Sequence, residues 1–140
     1  MSSRAAFTLI ELVVVCAIIG IMAAIAAPRV RAVVDGFAVE AAARDAANAL
    51  ALGRLAALRH GGAEVRLDSL SITVRAGGRD VLSRPIARAH GVRMRASPAV
   101  VRYAATGIAT GLSNGSIVVS RGSRADTIFV SRLGRVRRAS

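Results

Sequence analysis

The spacing of apolar residues changes character twice along the chain. From residue 7 to residue 27 the sequence reads FTLIELVVVCAIIGIMAAIAA, an almost unbroken apolar run in which Glu11 is the only charge. As a helix rising ~1.5 Å per residue, such a run spans a bilayer core of roughly 30 Å. Past Pro28, apolar residues return near helical period at Val30, Val33, Val34, Phe37, Ala41, Leu52, Leu55 and Ala56, which predicts an amphipathic helix to about His60. Glu40 and Arg44 are spaced as an i, i+4 pair in the favourable order, and Gly61-Gly62 supplies a stop. Pro28 within this rod removes a backbone hydrogen bond and Gly20 is a second soft point, so a kink or loosening is expected there. Beyond Gly62 the pattern becomes short alternating runs, predicting strands at 64–67, 71–75, 81–86, 92–95, 100–104, 117–121 and 127–132. Gly77-Gly78 and Gly122-Ser123-Arg124 read as hairpin turns. The fold class is α+β: one N-terminal helix laid against antiparallel sheet.

Composition sharpens the first segment and redirects attention to the last. A chain of 140 residues holds one small domain besides an anchor, and a 54% hydrophobic content is more than that domain needs, so some apolar sequence must meet lipid or another chain. All 20 basic residues are Arg, a bias that genomic composition explains as well as guanidinium chemistry does. Residues 29–80 hold 8 Arg against 6 acids, net +2, whereas residues 81–140 hold 11 Arg against Asp126 alone, net +10. That one-sided field suits an anionic partner, whether nucleic acid, acidic headgroups or an acidic protein face, and is equally what a merely soluble basic surface shows. Cys16 is the single cysteine, so no intramolecular disulfide is possible. His60 and His90 have no cluster of ligands around them, and no nucleophile elbow or phosphate-binding loop is present. No metal, cofactor or catalytic residue is therefore expected, and the chain reads as a non-enzyme.

Three readings compete for the apolar run. An ordinary secretory signal fits the basic Arg4, the apolar core and an Ala24-Ile25-Ala26 cleavage site, but leaves Glu11 where the core should be uninterrupted. A plain anchor leaves the carboxylate without a partner in lipid. If instead the chain is cut between Ala6 and Phe7, the new amine on Phe7 stands one helical turn from Glu11, and the two charges can neutralise each other within one chain or between neighbours. The run Ala6-Phe7-Thr8-Leu9-Ile10-Glu11 with its apolar tail resembles the class III signal of type IV pilins and type II secretion pseudopilins. The resemblance implies processing and N-methylation by prepilin peptidase, an assembly role for Glu11, and packing against other pilins through the helix. It divides the chain into a leader at 1–6, a transmembrane and assembly helix at 7–28, and a periplasmic domain at 29–140. The topology it implies is single-pass in the inner membrane with a cytoplasmic N-terminus, followed by incorporation into a filament. Ala6 departs from the glycine usual in the family, which implies slower cutting.

The C-terminal half narrows the resemblance. Tyr103 to Gly107, a Gly-rich link through Gly115, two apolar strands and the ending Val130-Ser131-Arg132-Leu133-Gly134-Arg135-Val136-Arg137 are similar to the GspH/FimT group of minor pseudopilins and minor pilins. In FimT-type members a Gly-Arg-x-Arg ending contributes to DNA binding, and the matching positions are Gly134, Arg135 and Arg137. In an extended segment the two arginines project to one face and can grip phosphate oxygens, while Gly134 permits a tight bend. The alternative is a basic tail after the last strand. With Phe7, Phe37, Phe129 and Tyr103 as the aromatics, binding to double-stranded DNA would rest on phosphate contacts. Arg44 and Arg54, on the predicted helix, serve as the comparison pair for that ending.

Overall fold

The computed structural model describes residues 8–111 and 114–139. Helix α1 (Leu9–His60) contains Pro28 within its length. Thr8 caps its start, accepting the Glu11 N–H on Oγ1 at 3.3 Å and on its carbonyl oxygen at 3.1 Å. Arg59 and His60 occupy the last turn, where positive charge suits the helix dipole, and Gly61 follows at φ +78°. By its internal contacts the chain divides into two compact units, Met1–Val34 and Asp35–Ser140. In the first unit every residue from 8 to 31 is exposed, and Leu12, Ile18, Met22 and Ile25 each leave more than half of their surface uncovered.

The second unit holds the core. Strands β1 (Gly62–Leu67), β2 (Ile72–Ala76) and β3 (Arg79–Arg84) form a meander. A short helix α2 (Ile86–His90) follows and precedes β4 (Arg93–Ser97). β5 (Val100–Ala104) pairs with the free side of β1, and the two-residue β6 (Ala109–Thr110) completes a five-stranded sheet of order β3-β2-β1-β5-β6. β4 joins β7 (Asn114–Arg121), β8 (Arg124–Ser131) and β9 (Val136–Ala139) in a four-stranded sheet of order β4-β7-β8-β9. All pairings are antiparallel.

Several expectations need correction. Ile86 is not the end of a strand but the buried first residue of α2, because Pro85 before it has no N–H to continue the β3 ladder. The C-terminus is not a free tail, since β9 pairs with β8 from Val130↔Val136 to Thr127↔Ala139. Gly115 lies inside β7 rather than in a glycine-rich link. The helix buries only part of the predicted apolar series: Ala56 is buried and Ala41 and Leu52 are half-buried. Val30, Val33, Val34, Phe37 and Leu55 are exposed, while Val39, Ala42, Ala43, Ala46, Ala49, Leu50, Gly53, Ala56 and Ala57 are buried. An alanine stripe lets a helix backbone come close to a sheet. Gly53 marks the closest approach, because a Cβ there would collide with Cγ2 of Val65 on β1.

Candidate functional site

Two regions carry the residues singled out from the sequence. Ala6 and Phe7 lie outside the described residues. Glu11 occupies the first turn of α1, where a carboxylate also suits the positive end of the helix dipole, and it is exposed among apolar neighbours. The helix that bears it is long and apolar enough to cross a membrane, by length and composition. Cys16 is a free, exposed thiol on the same stretch.

The structure brings Arg135 and Arg137 together at the other end of the chain. Both line an open concavity of about 420 Å³ with Phe129, Val130 and Ser131. The turn that delivers them is closed by backbone bonds from Gly134 N–H to the Ser131 carbonyl and from Ser131 N–H to the Arg135 carbonyl, each at 2.9 Å. The Arg135 N–H also donates to Ser131 Oγ at 3.2 Å. Gly134 is buried at φ +70°, and a Cβ on it would lie 2.7 Å from the Gly107 carbonyl oxygen and 3.2 Å from Tyr103 Cε1. Its role here is to let the turn pack down on the β5–β6 connection, which fixes where Arg135 leaves the surface. Ala109 N–H donates to the Arg132 carbonyl at 3.1 Å and ties the same turn to β6.

Sequence reasoning missed three members of this region. The Arg54 side chain lies beside Gly107 and Gly134, with its Cδ 3.6 Å from where a Gly134 Cβ would be, so it belongs to the basic C-terminal surface and is no independent comparison for it. Tyr103, 2% exposed, floors the turn; burial pushes its hydroxyl pKa up to about 12, against the opposing pull of the Arg54 charge. Its hydroxyl has no hydrogen-bond partner among the described residues. Phe129 stands opposite Arg137 on the outer side of β8, 44% exposed. The strict alternation of Thr127, Phe129 and Ser131 with Ile128 and Val130 is the signal that marks it as outward-facing.

Not every arginine of the basic half is available to a ligand. Arg138 donates from Nε at 3.2 Å and from Nη2 at 2.7 Å to Asp126 Oδ2, so the buried carboxylate takes up the arginine adjacent to Arg137. Arg121 bridges Asp35 on α1 at 2.8 Å and the His90 carbonyl at 2.9 Å. Arg84 lies 3.9 Å from Asp45. His60 and His90 both stand at helix ends, and His90 Nε2 is 2.9 Å from Asp45 Oδ2. Among the described residues no group of three His, Cys, Asp or Glu side chains is placed to hold a metal.

The comparisons with known proteins bear on both regions. The prokaryotic N-terminal methylation motif matches residues 1–27. No curated protein sequence matches the chain. The type IV minor pilin FimU of Pseudomonas aeruginosa (strain PAO1), in two crystal forms, is similar in structure. One form gives a TM-score of 0.62 at 13% identity, covering 73% of this chain and 88% of that one. The other gives 0.59 at 11% identity, covering 72% and 92%. The chain therefore has a pilin fold, a long N-terminal helix packed on antiparallel sheets, and begins with a methylation motif.

Proposed function

We propose that the chain is a minor subunit of a type IV pilus or type II secretion pseudopilus, assembled by its N-terminal helix. The observation that carries this reading is one coincidence: a methylation motif over residues 1–27 begins a helix that exposes apolar side chains throughout its first turns with one carboxylate, Glu11, among them. Lipid or neighbouring helices must cover that surface, and a carboxylate there needs a positive partner. Cutting between Ala6 and Phe7 creates one. Residues 1–6 are then a leader, 7–28 a transmembrane and assembly helix, and 29–140 a periplasmic domain of a single-pass inner-membrane precursor. Prepilin peptidase and the other pilins of the filament are its partners.

Mass spectrometry of the membrane form tests the reading: the mature chain should begin at a methylated Phe7, and a start at Ala27 would overturn it. Glu11→Ala should leave insertion and processing intact while incorporation into sheared filaments is largely abolished. Normal incorporation of that variant would remove the assembly role from the carboxylate.

A second reading, a filament-displayed module for double-stranded DNA, is favoured by one observation: Arg135 and Arg137 line the same concavity. Removing one arginine–phosphate interaction should flatten the log-log salt dependence of binding by roughly one unit, so Arg135→Gln with Arg137→Gln should flatten it by roughly two. Arg79→Gln with Arg88→Gln, at exposed positions on β3 and α2, is the comparison pair in place of Arg44 and Arg54. Equal weakening by both pairs would mean diffuse charge rather than a site.

A further inference from the structure

The two sheets use their charges differently. On the outer face of the five-stranded sheet the arginines are matched by acids: Glu64 accepts from Arg66 and from Arg102, each at 3.2 Å, and Asp80 lies 3.4 Å from Arg75. The hydrogen bond from Arg66, joined by Arg102, holds the Glu64 carboxyl below its ordinary range despite some desolvation. On the outer face of the four-stranded sheet there is no carboxylate among the described residues. The acid of its strands, Asp126, is buried and turned to Arg138.

The register shows how this second face is laid out. Arg95, Val118 and Thr127 stand side by side across three strands, Ser116, Phe129 and Arg137 form another row, and Arg93 stands beside Ser120. At ~4.8 Å between strands and ~3.4 Å per residue along them, the two-residue offset of Arg95 and the four-residue offset of Arg93 from the row of Arg137 put these arginines roughly 16 and 20 Å from Arg137 at the backbone. Between them lie short serine, threonine and valine side chains and the half-exposed phenyl ring of Phe129. Arg93, Arg95 and Arg137 have no carboxylate at ion-pair distance among the described residues.

An aromatic anchor on a carboxylate-free face, with guanidiniums on either side of it, has the composition of a protein-docking surface. A second copy of this chain is a poor occupant, because among the described residues from 35 onward every side-chain carboxylate except Asp68 already has an arginine partner, so two copies would meet with like charge. An intact duplex also fits less well, since its phosphate lattice gives Phe129 nothing apolar to pack on. Resting on the filament reading above, we propose that the outer face of β4-β7-β8-β9 docks the acidic globular domain of a different subunit, with Phe129 in an apolar contact and Arg93, Arg95 and Arg137 meeting carboxylates around it.

The test uses the full chain in cells that assemble the filament, with Phe129 replaced by the photo-crosslinking residue p-benzoylphenylalanine. Irradiation should give an adduct with a filament subunit of different sequence and net negative domain charge. Arg93→Glu with Arg95→Glu should lower its yield by ~tenfold or more through like-charge repulsion. Arg93→Gln with Arg95→Gln should lower it less, and Arg79→Glu with Arg88→Glu should leave it unchanged. A self-adduct, a crosslink to DNA, or no adduct from a chain present in sheared filaments would overturn the proposal alone. Absence of the chain from filaments would overturn the filament reading, and the proposal with it.

Discussion

Residues 9–34 and 35–60 belong to one helix, yet they solve opposite packing problems. The first stretch carries large apolar groups that the chain itself leaves uncovered, from Leu9 at 82% exposure to Val34 at 50%. The second is much less bulky, and its alanines at 42, 43, 46, 49, 56 and 57 are almost completely buried. Side-chain size accounts for the contrast. Large side chains on every side suit lipid, which adapts to the helix. A stripe of alanine and glycine suits a sheet already fixed in place, where the helix must adapt to the partner.

The largest expected effect comes from erasing that contrast at one residue. Gly53→Val puts a branched side chain where even a Cβ collides with buried Val65, and neither the helix nor β1 can yield without moving the core. A destabilisation of ~3 kcal/mol is expected, the upper part of the range for overpacking, and it outweighs the roughly 0.4 kcal/mol that valine gains over glycine in helix propensity. Gly20→Ala in the first stretch meets nothing within 4 Å and should leave unfolding of the domain unchanged. Thermal denaturation of both variants in detergent measures the difference. If Gly53→Val melted with the wild type, the close helix–sheet contact would be wrong.

The same contrast explains what could be read from sequence. The apolar run with its lone Glu11 is a linear signal, because lipid imposes hydrophobicity residue by residue and no tertiary partner has to be known. Strands 64–67 and 100–104 emerge from alternation, which each segment carries by itself. The buried helix face emerges only in part, at Ala56 and at half-buried Ala41 and Leu52, since alanine gives little contrast and periodicity follows larger residues such as Phe37 and Leu55 that are exposed. β6 has two residues, too few to show a period, and β9 looks like a tail until the turn at Gly134 folds it onto β8. At the C-terminal site, Arg135 and Arg137 are legible from their spacing. Arg54 is not, because only the fold brings that part of α1 to Gly107 and Gly134.

The smallest expected effect at neutral pH is also the most specific to the tightly packed stretch. Tyr103 lies against Gly53, with Cε2 3.5 Å from where a Cβ would be, and its hydroxyl is buried without a partner among the described residues. Such a group costs desolvation and returns no hydrogen bond, so Tyr103→Phe should be neutral or stabilise by up to ~1 kcal/mol at pH 7. Alkaline pH separates the two proteins further. The unfolded chain releases the phenolic proton near pH 10, whereas burial raises the folded value to about 12. Between these values the unfolded state binds fewer protons, so the wild type loses stability as pH rises, while below pH 10 this contribution is fully present. Tyr103→Phe lacks the titrating group and should show a flatter decline from pH 10 to 12 in thermal melts. Parallel declines would mean that the ring is less enclosed than the packing around Gly53 and Gly134 requires.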